Sequence, residues 1–206
     1  MAGPIAGHPV GNNIVSERSI PLITTVELVK KVCLIGDPGV GKTSLIRRFV
    51  LDLFDDTYLT TIGAKVTKKA MGVDVPERDL HINLSLMIWD VAGQKEYKLF
   101  HEMYLKGMEG VLAVADLTRM NIFDSLKGAI HMADRAAVNT PMIFLLNKCD
   151  LAELSSIDLK DVRTLASQRD VPVLATSAKT GMNVELAFDQ LGRMVAGTWL
   201  KKKYEQ

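Results

Sequence analysis

The run Gly36-Asp37-Pro38-Gly39-Val40-Gly41-Lys42-Thr43 constrains this chain more than any other stretch. Its spacing is G-x-x-x-x-G-K-T. It follows a short β-branched apolar run at residues 28–35 and opens a stretch of helical pattern at residues 42–53. A strand, a glycine-rich turn and a helix in that order let several backbone N–H groups converge on a phosphate, and the helix N-terminus adds favourable partial charge. The pattern assigns Lys42 to the β- and γ-phosphates and the Thr43 hydroxyl to Mg2+. A Gly/Pro turn that merely opens a helix is the plainer reading, but it accounts for fewer of the positions that coincide here.

The remainder alternates. Strand-like runs fall at residues 65–71, 80–89, 110–116, 141–147 and 171–176, and helical patterns at 97–106, 121–138, 159–169 and 183–200. Residues 72–79 hold a turn, because Pro76 is poorly placed inside a central strand. Short apolar strands alternating with longer helices predict an α/β sheet with helices on both faces, a three-layer sandwich. Residues 1–27, with Gly3, Pro4, Gly7, Pro9, Gly11, Asn12, Asn13 and Pro21, read as a flexible extension whose more apolar part, residues 20–26, docks on the body. The expected division is an extension at 1–27, a nucleotide-binding domain at 28–200 and a basic tail at 201–206.

Composition removes several classes. The 206 residues contain 25 Lys and Arg against 24 Asp and Glu, a net charge of +1, which argues against a basic nucleic-acid binder. A chain that is 48% hydrophobic and 24% charged is globular. Cys33 and Cys149 cannot build a disulfide framework, so a reducing cytoplasmic setting is expected. His8, His81, His101 and His131 form no metal-ligand spacing. No apolar run is long enough to span a membrane, and the first residues lack the pattern of a signal peptide. Gly3 is not at the second position, and the end, Lys201-Lys202-Lys203-Tyr204-Glu205-Gln206, has no cysteine, so lipidation is not expected. At most, peripheral membrane contact through the three lysines is expected.

In sheets of this kind ligands bind at the carboxyl ends of the strands. Further candidates stand at the ends of the strand-like runs. Asp90 closes the run at 80–89 and suits a carboxylate that supports Mg2+; Gly93-Gln94 follow closely. Asn147-Lys148-Cys149-Asp150 follows the run at 141–147. A carboxylate can accept from both the N1–H and the 2-amino group of guanine, but meets no matching donors on adenine. Asp150 suits that task, Asn147 can bond N7 and tether loops, and the Lys148 stem can lie along the base. Thr176-Ser177-Ala178-Lys179 follows the last run, and the Ala178 N–H can donate to the 6-oxo group.

Taken in order, residues 36–43, Thr61, Asp90-Val91-Ala92-Gly93-Gln94, Asn147-Lys148-Cys149-Asp150 and Ser177-Ala178-Lys179 resemble the Ras superfamily of small GTPases. Trp89-Asp90-Val91-Ala92-Gly93-Gln94 and Tyr58-Leu59-Thr60-Thr61-Ile62-Gly63 bring the likeness closest to its Rab-type branch. The likeness covers about residues 28–200, and the missing tail cysteine leaves open a member of prokaryotic or archaeal type. The resemblance implies a P-loop fold with six strands, mostly parallel, the second antiparallel. It implies a monomeric switch that binds GTP or GDP with Mg2+, hydrolyses GTP and shows different faces to effectors, exchange factors and activating proteins. Phe54 would lean on the guanine and Tyr58 would cover the phosphates. Asp37, Gly39, Val40, Gly41, Lys42, Thr43 and Ser44 would hold the phosphates. Asn147, Lys148, Asp150, Ser177, Ala178 and Lys179 would hold the base. Thr43, Thr61 and Asp90 would serve Mg2+. Thr61 and Gly93 would sense the γ-phosphate, and Gln94 would orient the attacking water beside Lys42 and Thr61.

This sequence departs from the family pattern at Pro38, which removes an N–H from the phosphate loop and stiffens it; altered hydrolysis with retained nucleotide binding is expected. The segment between Thr43 and Thr61 is too short for an inserted domain, so an activating arginine is expected from another protein. Arg47 and Arg48 read as surface residues of the first helix. The alternatives are a guanine-nucleotide module that scarcely hydrolyses, and an ATP-using P-loop phosphotransferase, which the Asn147 to Asp150 run disfavours.

Overall fold

Successive side chains of a strand point to opposite faces, and that alternation sorts the apolar residues into two cores. The structure, a computed structural model, describes residues 23–54, 63–91, 103–151 and 158–204. Six strands, β1 (Thr24–Ile35), β2 (Ala64–Val75), β3 (Leu80–Val91), β4 (Gly110–Asp116), β5 (Met142–Asn147) and β6 (Val173–Ala175), form one sheet in the order β2-β3-β1-β4-β5-β6. β2 runs antiparallel to β3 and every other neighbouring pair is parallel. The expected second, antiparallel strand is therefore present.

Val32, Leu34, Leu112, Val114, Ile143 and Leu145 point to one face. There they meet Leu45 and Ile46 of helix α1 (Lys42–Leu51), and Phe188, Leu191 and Val195 of the last helix, α4 (Val184–Tyr204). Phe49 stacks flat on Phe188, ring centroids 4.1 Å apart, and ties α1 to α4. Cys33, Ile35, Val111, Ala113, Phe144 and Leu146 point to the other face. They pack on Leu126 and Ile130 of α2 (Ile122–Ala136) and on Val162 and Ala166 of α3 (Lys160–Gln168). β4 and β5 are buried along their whole length, as parallel strands covered on both faces must be.

Element boundaries moved where backbone pairing outran the apolar pattern. β1 begins at Thr24 rather than residue 28, because Thr24 to Glu27 find ladder partners at Leu80 to Asn83 of β3. β2 continues to Val75, paired with Leu80, so the expected turn at 72–79 shrinks to a short 3-10 helix, Pro76–Arg78. Proline sits at its first turn, where its missing N–H costs least. α4 runs on through the lysines at 201–203 to Tyr204, and cations there suit the helix C-terminus. Of the helix expected at 97–106, residues 103–105 are helical and 97–102 lie outside the described residues. Among the described residues no helix is long and apolar enough to cross a membrane.

With β1, β3, β4, β5 and β6 all parallel, Ile35, Val91, Asp116, Asn147 and Ala175 end at one edge of the sheet. That edge carries the candidate site.

Candidate nucleotide site

Between Ile35 and Lys42 the chain turns against its neighbours so closely that glycine is required. A Cβ on Gly36 would lie 2.1 Å from the Val114 carbonyl oxygen of β4. Gly41 adopts φ +98°, and a Cβ there would lie 2.3 Å from Asn147 Nδ2. The loop is thus a cradle that a side chain would fill, wedged between the central strand and the turn after β5. Gly41 also caps α1, whose first turn carries no acidic side chain, so its positive end is available to an anion.

Lys42 is 6% exposed, and its Nζ donates to the carbonyls of Gly36, at 2.8 Å, and Asp37, at 3.0 Å. Burial drives its pKa down to about 8, against the pull of Asp90 and Asp37, while the positive charge of Arg119 pushes the same way as burial. A buried ammonium is held beside the loop in a state that an anion would stabilise. Next along α1, Thr43 Oγ1 donates to Asp90 Oδ2 at 2.5 Å. Asp90 is a residue of β3 itself, opposite Leu34 and Lys65, and is buried. A hydroxyl and a carboxylate side by side are hard oxygen donors that fit Mg2+, which takes few protein ligands and keeps several waters.

The base-side turns are tied to the phosphate loop. Asn147 is 1% exposed; its Nδ2 donates to the Val40 carbonyl at 2.8 Å, and its Oδ1 accepts from the Ala178 N–H and the Thr176 hydroxyl, each at 3.3 Å. Asn147 thus bonds the phosphate loop to the turn at residues 176–178. Asp150 accepts from Ser177 Oγ at 2.6 Å, which joins the two base-side turns a second time. Lys148 adopts φ 66°, and its Nζ meets Asp116 Oδ2 at 2.7 Å. Phe54 is half-buried against the core of the α1 face. Ser44 lies on α1 after Thr43, Gly39 has φ 74°, and Lys179 is exposed. Tyr58, Thr61, Gly93 and Gln94 lie outside the described residues.

Two supporting residues were not anticipated, and a third came from an unexpected element. Arg48 is not a plain surface residue. Its Nε donates to the Ala178 carbonyl at 2.9 Å, its Nη2 to the Lys179 carbonyl at 2.6 Å, and its Nη1 to Asp52. Asp116, at the end of β4, accepts from the Thr118 N–H at 3.0 Å and the Thr118 hydroxyl at 2.7 Å. Burial alone raises its pKa, but Lys148 and Thr118 outweigh burial and hold it below the ordinary carboxylate value. An aspartate that closes a buried strand-like run is the signal that could have marked Asp116, as it did Asp90. Arg119 Nη2 donates to the Pro38 carbonyl at 3.0 Å. Replacing Arg48 by alanine is expected to speed GDP release about tenfold, because two charge-assisted bonds that order the 176–179 turn are lost. Displacement of a fluorescent GDP analogue measures it, and an unchanged off-rate would count against the role.

A phosphate cradle at a helix N-terminus, a hydroxyl-carboxylate pair and three interlocked turns at the carboxyl edge define a P-loop nucleotide-binding protein. Residues 31–197 match the model of the Ras family. Ras-related protein Rab-31 of Rattus norvegicus is 36% identical over 166 residues, covering 80% of this chain and 82% of the relative. Ras-related protein Rab-37 of Mus musculus is 35% identical over 190 residues, covering 91% and 82%. GTP-binding protein YPTM1 of Zea mays is 38% identical over 159 residues, covering 77% and 74%. This chain belongs to the Ras family and is a Rab-like small GTPase. It is a GTP hydrolase that acts as a switch, binds GTP and GDP with Mg2+, and works with regulator and effector partners.

Proposed function

We propose the following division of labour at the site. Residues 36–43 enclose the phosphates through backbone N–H groups, and Lys42 leaves the Gly36 and Asp37 carbonyls for phosphate oxygens. Ser44 extends the helix N-terminus beneath them. Thr43 and Asp90, with Thr61, hold Mg2+, which when bound neutralises charge on the β- and γ-phosphates. Asp150 reads the N1–H and 2-amino edge of guanine, and the Ala178 N–H reads the 6-oxo group. Lys148, fixed by Asp116, lies along the base with Phe54, and Ser177 and Lys179 support the turn. Tyr58, Thr61 and Gly93 respond to the γ-phosphate, and Gln94 orients water.

The observation that carries this reading is Asn147, one buried amide bonded both to the phosphate loop at Val40 and to the base turn at Ala178. Such a tether makes binding of base and phosphate a single event. The protein acts as a cytoplasmic monomer without nucleic-acid substrates and makes at most peripheral membrane contact. Its regulators supply exchange and activation from outside.

Competition of GTP and ATP for the purified protein tests the reading. GTP is expected to win by at least about a hundredfold, since the base-reading bonds are charge-assisted. Equal competition would sink the guanine assignment and favour an ATP-using phosphotransferase.

A further inference from the structure

Pro38 and Arg119 together change what the phosphate loop presents. A proline at this position offers only a carbonyl, and that carbonyl oxygen repels a neighbouring phosphate unless a cation faces it. In this fold one does. Arg119 Nη2 donates to the Pro38 oxygen at 3.0 Å. The carbonyls of Gly36 and Asp37 are already engaged by Lys42. Consecutive carbonyls of one loop therefore face two cations, Lys42 from α1 and Arg119 from the turn after β4.

Arg119 is held where it is. The backbone N–H of residue 119 donates to the Asp116 carbonyl at 3.1 Å, and Thr118 closes an Asx turn on Asp116 Oδ1 at 3.0 Å. Arg119 Nε sits 3.3 Å from Asp116 Oδ2, which Lys148 also meets. Leu117 is buried, and its N–H donates to the Asn147 carbonyl at 2.8 Å. The turn that carries Arg119 is thus bonded into the site, and a guanidinium has five N–H donors to present. A charge placed in advance by rigid structure needs no reorganisation during reaction.

We propose that Arg119 is an arginine supplied in cis to the γ-phosphate, a catalytic residue for GTP hydrolysis. The inference rests on the nucleotide-site reading above. In the reaction the oxygen of water bonds to the γ-phosphorus as the bond to the β–γ bridging oxygen breaks. That electron pair leaves with GDP, and the proton of water passes to inorganic phosphate or solvent. Arg119 forms no covalent bond; it faces the negative charge that gathers on the transferring oxygens. The segment between Thr43 and Thr61 is too short for an inserted domain that would carry such an arginine, and the turn after β4 is a separate source.

The test uses the whole chain with no activating protein. Single-turnover GTP hydrolysis, GDP affinity and retention of aluminium fluoride by the GDP form are measured for the parent, Arg119→Ala, Arg119→Gln and Arg119→Lys. Hydrolysis is expected to fall by about tenfold or more in Arg119→Ala and Arg119→Gln, with Arg119→Lys in between. GDP affinity is expected to stay within about threefold, because GDP lacks the reacting phosphate. The parent is expected to retain aluminium fluoride, a mimic of the planar phosphoryl group, and Arg119→Ala to lose it. Unchanged hydrolysis, equal losses of hydrolysis and GDP affinity, or a parent that binds GTP without hydrolysing it overturns the proposal and leaves the nucleotide site standing. A parent that binds no GTP overturns both. If Arg119→Ala does not fold, Arg119→Gln decides, since it keeps a polar side chain with N–H donors and removes the charge.

Discussion

Lys42→Met is expected to cost about two to four orders of magnitude in GTP and GDP affinity while the nucleotide-free variant melts no lower than the parent. Lys42 is almost wholly buried and held by carbonyls, so its charge is badly solvated until a phosphate arrives. Removing one partner of a buried ion pair costs about 3–5 kcal/mol, which sets the size of the loss. Methionine keeps the length of the stem and removes the cost of a buried charge from the empty protein. Calorimetric titration and thermal unfolding read the two effects separately; a variant that still binds at parental affinity would refute the role.

The same ammonium makes the site pH-dependent. In the empty fold it titrates at about 8, against an ordinary 10.5. Phosphate favours the charged form, so GDP affinity is expected to fall as pH rises above about 8, up to about tenfold per unit. The stability of the empty fold moves the opposite way. Between about 8 and 10.5 the unfolded chain binds the proton more readily than the fold. The contribution of Lys42 is therefore fully present above that window and lost as pH falls through about 8.

Asp150→Asn is expected to lower GTP affinity by about 10²–10³ and to raise affinity for xanthosine triphosphate. The carboxylate accepts from two donors on guanine, and charge-assisted bonds are worth about 1.5–3 kcal/mol each. An amide offers one acceptor and turns an N–H toward the 2-amino group, leaving donors opposed. Xanthine carries an oxygen at that position, which the amide N–H can meet. Ser177 Oγ, now donating to Asp150 Oδ1, can bond an amide oxygen as well, so the turn itself is kept. Parallel titrations with GTP, ATP and xanthosine triphosphate measure the change, and unaltered selectivity would place base recognition elsewhere.

The alternation of strands and helices, the three layers and the glycine-rich loop were legible because each leaves a local trace. Residues 110–116 and 142–147 are continuous apolar runs because both faces are covered, and Gly36 and Gly41 stand where no Cβ fits. Asn147 was legible for the same reason, through its short motif. Arg48 was not. Its partners at Ala178 and Lys179 lie 130 and 131 positions away, and nothing around it on α1 points to them. Arg119 has no pattern of its own either; its partner, Pro38, is 81 positions distant. The early start of β1 escaped notice because ladder bonds ask nothing of side chains, and Thr24 to Glu27 carry mostly polar ones.

Ala64 opens β2 and Val91 closes β3, and the two face each other as the terminal rung of a ladder that runs back to Val75 and Leu80. The chain leading to Ala64 comes from Thr61, and the chain leaving Val91 goes to Gly93. The two γ-phosphate sensors proposed above therefore share one mooring. A pull on either reaches the root of the other across a single strand spacing, about 5 Å, through backbone hydrogen bonds rather than through the core. In the proposed switch, loss of one phosphate therefore acts on both segments at this shared rung.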